Sequence, residues 1–162
     1  MLTNDDRAAI PEQYSQACTS SNLRCEADKR GAADVLIASG MSDSRLGSVL
    51  MRLLTKADRT GLEVVHQHLT QQAKRWNIEN PEVVTTSVLS WWLNQTCTRC
   101  AGVCFEVVKD SPSLSARNCK LCQGSGQKKL PYGESGKQLA RYIDDCKQAW
   151  STSIKKRLRP TL

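Results

Sequence analysis

The sequence predicts a mainly α-helical protein: a helical N-terminal body over 1–95, a cysteine-rich module over 96–127 and a basic, helix-turn-helix-like segment over 128–162. Three observations carry this expectation. Apolar residues recur at helical spacing through the first part, five of the eight cysteines crowd into 97–127, and the whole net basic excess lies in the cysteine-rich and C-terminal part, 97–162. Residues 1–96 hold 10 Lys/Arg against 11 Asp/Glu, whereas 97–162 hold 13 against 5. Such asymmetry points to a polyanionic partner for the C-terminal part. At 162 residues the chain is long enough to bury a core without staples. Its N-terminus, "MLTNDDRAAIPEQ", shows no signal-peptide pattern, and its longest apolar runs, "VLIA" and "WWL", are far too short for a membrane span. The expectation is an intracellular protein in a reducing compartment, where thiols and metal thiolates outnumber disulfides.

In the body, "GAADVLIASG" reads as a short helix ending at Gly40, and "YSQACTSSNLRCEADKRG" as helix or loop. "MSDSRLGSVLMRLLTKA" offers Ser42 as N-cap and puts Leu46, Val49, Leu50, Leu53, Leu54 and Ala57 on one helical face. A second amphipathic helix carries Leu62, Val65, Leu69, Ala73 and Trp76. After "NIENP", a third helix begins at Pro81, a favoured first position, and buries Val84, Val88, Leu89, Trp92 and Leu93. His66 and His68, two apart, project to different sides of a helix and read as surface or boundary residues rather than metal ligands. Trp76, Trp91 and Trp92 read as core or interface, and Cys18 and Cys25 as small buried apolar residues.

Cys97 and Cys100 form one CxxC pair and Cys119 and Cys122 a second, with eighteen residues between. This is the spacing of a tetrathiolate zinc site. Two residues between ligands let a tight knuckle present both thiolates to one tetrahedral ion, and the intervening loop carries the knuckles to opposite sides of it. Gly102, Gly124 and Gly126 suit the close turns that knuckles need. "FEVVKDSPSLSARN" reads as a strand, a turn at "DSPS" and a return. The module is thus zinc-ribbon or knuckle-like, with a structural Zn2+ whose shell four thiolates would close. Cys104 is a spare thiol that could replace Cys100 only by a poorer spacing.

No catalytic pattern emerges, and the expectation is a non-enzyme. "YGESGKQ" lacks the first glycine and the Ser/Thr of a phosphate-binding loop, having Pro131 and Gln138 there. At the C-terminus, Leu139, Ala140 and Ile143 predict one short helix, "DDC" a break, and Cys146, Trp150, Ile154 and Leu158 a second helix. The face away from that ridge carries Lys147, Gln148, Ser151, Thr152, Lys155, Lys156 and Arg159, with Ser153 and Arg157 at its edges. These side chains bond phosphates and base edges. A single basic amphipathic helix packed by its Trp/Ile/Leu ridge is the alternative.

The helical first half, "WWLNQTCTRCAGVC", "CKLCQGSGQ" and the closing "GKQLARYIDDCKQAWSTSIKKRLRP" together resemble the late-gene antitermination proteins of lambdoid phages, the Q family, in its shorter form. The resemblance spans essentially the whole chain and is most specific from Trp91 to Pro160. It implies a protein of the bacterial host cytoplasm that recognises double-stranded DNA at a phage late promoter and engages paused RNA polymerase with its sigma factor. It would then travel with the polymerase through pauses and terminators, with nascent RNA a further partner left open. By position, it makes the paired cysteines the metal ligands and the segment after Asp145 the recognition helix. "CAGVC" departs from the Cys-x-Gly-x-Gly form of such a knuckle. Three other readings share some of these features: a DNA-bound activator or repressor that does not travel with polymerase, a zinc-stabilised protein-binding adaptor, and an RNA-binding knuckle protein. One Phe and three Tyr are few for the stacking the last requires.

Overall fold

The computed structural model describes the backbone of residues 4–21, 32–56, 58–107 and 114–158, and side chains within 10–21, 32–56, 58–106 and 115–158. Its elements in order are α1 (Asn4–Thr19), α2 (Ala32–Gly40), α3 (Arg45–Thr55), α4 (Arg59–Arg75), α5 (Pro81–Leu93), β1 (Phe105–Val107), β2 (Leu114–Asn118) and α6 (Gly133–Arg157). The fold is mainly helical with one small antiparallel hairpin. The chain divides into two compact units, 1–68 with 141–162, and 69–140. Among the described residues no helix is long and apolar enough to cross a membrane.

The first unit gathers its apolar residues around the end of α6. Ile10, Tyr14 and Ala17 recur on one face of α1 and, with Val35, Ala38 and Met51, enclose Trp150, Ile154 and Leu158. Tyr14 meets Trp150 edge to face, with centroids 5.2 Å apart and planes at 87°, the arrangement the ring quadrupoles favour. Pro11 lies inside α1, so packing of this face outweighs the lost helical hydrogen bond. On α3 the buried face is Gly47, Leu50, Met51 and Leu53, whereas Leu54 is about half exposed. The expected stripe is therefore rotated toward Gly47, where α3 meets α6. A Cβ at Gly47 would stand 2.5 Å from Trp150 Cβ and 2.6 Å from the Cys146 carbonyl oxygen, so only glycine permits this approach. The N-cap of α3 is Ser44, not Ser42. Ser42 Oγ accepts the Ser44 amide at 3.3 Å, and Ser44 Oγ donates to the Cys146 carbonyl at 3.3 Å. Cys18 is exposed rather than buried, because it lies off the Ile10–Tyr14–Ala17 face. Cys25 and Ala57 lie outside the described residues.

The two-helix expectation for the C-terminus is corrected, since α6 runs without a break through Asp144, Asp145 and Cys146. Both aspartates are exposed and Asp144 pairs with Lys147 at 3.8 Å. Ile143, Trp150 and Ile154 are fully buried on the other side. Asp lowers helix propensity by only about 0.7 kcal/mol at most, much less than the burial of one continuous Trp/Ile ridge supplies.

In the second unit Leu69, Ala73, Val84, Val88, Leu89 and Trp92 are buried, as their spacing predicts, and α5 starts at Pro81. The α4 helix closes with a left-handed Asn77, φ 53°. Ile78 N–H bonds the Ala73 carbonyl and Asn77 N–H the Lys74 carbonyl, the two bonds of a Schellman cap. Past α5, Trp91 Nε1 donates to the Lys128 carbonyl at 2.9 Å, and Lys128 N–H donates to the Gln95 carbonyl at 2.7 Å. Thr96 and Gln127 form an isolated antiparallel bridge. These bonds close the base of the cysteine module.

Candidate metal centre and basic helix

The module consists of two knuckles with the same backbone. In the first, Ala101 and Gly102 have φ of 47° and 88°; in the second, Gln123 and Gly124 have 55° and 86°. Each turn folds the chain back so that amides face the preceding sulfur. The knuckles also hold one another. Cys97 N–H donates to the Gly126 carbonyl at 2.8 Å, and Cys119 N–H donates to the Cys104 carbonyl at 2.9 Å. Both acceptors stand four residues after the second cysteine of their own knuckle. Between the knuckles, β1 pairs with β2, Phe105 opposite Asn118 and Val107 opposite Leu114, with an irregular register between them. The strand-turn-strand expectation is met in its strands, and the "DSPS" turn lies outside the described residues.

The geometry brings Cys97, Cys100, Cys119 and Cys122 to one point. All four are buried, and their Sγ atoms lie within 4.8 Å of one another. The Cys97–Cys119 separation is 4.0 Å and the Cys100–Cys122 separation 3.7 Å. A tetrahedral ion with bonds of about 2.3 Å requires sulfurs about 3.8 Å apart, whereas a disulfide requires about 2.05 Å. The donor set therefore fits a thiolate-bound metal. Electrostatics support it: the Cys100 amide holds the Cys97 thiol below its ordinary range against the effect of burial. Burial raises Cys122, but the amides of Gly126 and Gly124 outweigh it and bring that thiol down to about 6. Gly126 N–H lies 3.3 Å from Cys122 Sγ. Burial pushes Cys100 up to about 11. A cation at the centre would compensate the charge that burial penalises.

Cys104 stands outside the cluster. Its φ of 73° matches the 72° of Gly126, so it occupies the position where the other knuckle has glycine. Its contribution is a carbonyl for Cys119, while its thiol donates to the Gly102 carbonyl at 3.5 Å. Aligning the two knuckles in the sequence already sets Cys104 opposite Gly126, and the matching backbone angle shows why glycine suits that position.

The residues read as a DNA-facing set are divided by α6. Gln148, Thr152, Lys156 and Arg157 are exposed, and Lys147 is half-buried. Arg157 Nη2 already donates to both carboxylate oxygens of Asp43 at 3.1 Å, and Ser153 Oγ accepts the Asp43 amide at 3.4 Å. Ser151 is buried and thus corrected from a solvent-facing role; the Lys155 ammonium is also enclosed, with no hydrogen-bond partner among the described residues. A ridge of every fourth residue drifts about 40° per step around a 3.6-residue helix, which carries the buried stripe toward 151 and 155. Arg159 lies outside the described residues. Continuity of α6 instead places exposed Arg141 on the same face, one heptad before Gln148, a residue the two-helix expectation assigned elsewhere. His66 is half-buried and His68 exposed, the latter bonded to Tyr142 Oη at 3.0 Å.

No protein-family model, curated protein or solved structure matches the chain. The chain carries a buried cage of four cysteine sulfurs and, on α6, a partly basic exposed face.

Proposed function

We propose that the protein is a zinc-containing transcription antitermination factor, binding DNA at a late promoter and loading onto paused RNA polymerase. The cage of four buried sulfurs at metal-binding distances carries the metal part of this reading. Zinc suits it because an all-sulfur, four-coordinate set favours that ion and leaves no open position for a substrate. When bound, the ion would fix the knuckles, and its role is structural. DNA binding is supported by the cationic, amide and hydroxyl side chains of Arg141, Gln148, Thr152 and Lys156 on one exposed helix face. Affinity would come mainly from phosphate contacts and fall steeply with salt. Exposed Val103, Phe105 and Leu121 on the cysteine module are suited to a protein interface, as a polymerase partner requires. Antitermination itself rests on the motif resemblance.

The test is transcription by purified cellular RNA polymerase from a late promoter followed by an intrinsic terminator. Readthrough that needs both the protein and promoter-proximal DNA, and falls with Arg141→Ala/Lys156→Ala, supports the proposal. Tight, salt-sensitive binding to that DNA without readthrough would instead indicate a promoter-bound regulator that does not travel.

A further inference from the structure

A cavity of about 440 Å³ in the second unit is lined by Trp76, Asn77, Glu79, Asn80, Tyr132 and Gln138, among others. Its walls come from the turn between α4 and α5 and from the start of α6. Two aromatic residues therefore line the same space as one glutamate and three carboxamide-bearing residues. The Schellman cap explains the left-handed Asn77, but Asn80 is left-handed at φ 49° without using its side chain to cap α5. Tyr132, at φ 61°, holds a conformation unusual for a bulky residue and is about half exposed. Strained residues of this kind concentrate at binding sites.

Charge identifies the ligand class. Nearby Glu82 is matched by Lys74 at 3.5 Å and Glu134 by Lys137 at 2.7 Å. Glu79 forms no ion pair among the described residues and is the one charged group lining the cavity. An anion, including a nucleic-acid phosphate, would meet this carboxylate without compensation. A cation would be attracted by it and by the faces of Trp76 and Tyr132. Among cations, a guanidinium is flat, stacks on aromatic rings, pairs two N–H groups with a carboxylate and has three more for carboxamide oxygens. An ammonium lacks the flat face and the fork.

We propose that this cavity is a docking site for an exposed arginine side chain of a protein partner, held by Glu79 and stacked against Trp76 and Tyr132. The site is independent of the metal, DNA and antitermination, and its test uses neither DNA nor polymerase. The full-length protein, 15N-labelled, is titrated with the capped tripeptide Gly-Arg-Gly and with the same peptide carrying citrulline, which keeps the shape and loses the charge. The expected result is a saturable shift of the Trp76 indole and the Asn80 and Gln138 carboxamide signals by the arginine peptide. Citrulline should bind at least about tenfold more weakly. Glu79→Gln and Tyr132→Ala, both at exposed positions and checked for an otherwise unchanged spectrum, should each weaken the arginine response at least about tenfold. Equal binding of citrulline, a response undiminished by Glu79→Gln, or no saturable shift in the wild type would each overturn the proposal.

Discussion

Position 104 carries a thiol where the other knuckle carries glycine, and φ of 73° against 72° shows that the backbone asks for glycine at both. Cys104→Gly should retain the metal and raise stability by up to about 1 kcal/mol, the usual cost of a non-glycine side chain in a left-handed turn. Urea unfolding of the metal-loaded protein measures the gain, and loss of metal from that variant would make Cys104 a ligand after all. Proton linkage gives a second prediction. Cys122, brought down to about 6, becomes a thiol as pH falls through that value, so acidification below it weakens metal binding. Cys100, pushed up to about 11, is still a thiol at neutral pH and must release its proton to bind. Zinc uptake at pH 7 should therefore release protons and strengthen with rising pH. Calorimetry in buffers of different ionisation enthalpy detects the release; proton-neutral uptake would contradict these assignments. The clustering of Cys97, Cys100, Cys119 and Cys122 was legible in the sequence because CxxC spacing encodes that geometry directly. That Cys104 departs from glycine at its position was legible too; that its carbonyl accepts the Cys119 amide was not, because a backbone bond between knuckles has no residue signature.

Helices α3, α5 and α6 show what periodicity can and cannot report. Pro81 and the Val84–Val88–Leu89–Trp92 face announced α5 with its boundary. On α3, periodicity found the helix but not its exact facing, since Gly47 has no hydrophobic signature and yet touches α6 most closely. Gly47→Ala should destabilise the protein by about 1–3 kcal/mol, because a Cβ there overlaps Trp150 and the Cys146 carbonyl. Unfolding midpoints in urea check this, and an unchanged midpoint would mean that α3 and α6 separate without cost. The "DDC" stretch of α6 looked like a break by local propensity. The buried ridge from Ile143 to Ile154 crosses it, and tertiary packing decides. The consequence for binding is a single exposed face running from Arg141 to Lys156. If both cations meet phosphate, Arg141→Ala/Lys156→Ala should reduce the slope of log affinity against log salt by about 2, roughly 0.9 for each contact removed. An unchanged slope would take this face off the DNA.

At the scale of the molecule, charge and cysteine content separate a near-neutral front part from a basic, thiol-rich back part, but compactness follows other lines. The C-terminal part of α6 belongs with α1–α3 because Trp150, Ile154 and Leu158 complete their core. The cysteine module belongs with α5 because Trp91, Gln95 and Thr96 bond the segment at 127–128. Such long-range pairings leave no trace in a linear composition profile. Within the second unit, the knuckles bind each other through two backbone bonds and a two-stranded hairpin, too little alone to hold four buried thiols together. A central ion would supply the missing attraction. Native mass spectrometry of the purified chain, beside Cys119→Ser, tests it most directly. The account predicts one tightly bound zinc ion on the wild type and none on the variant. Wild-type protein that remains metal-free after zinc is supplied, or a variant that keeps the ion equally well, would contradict it.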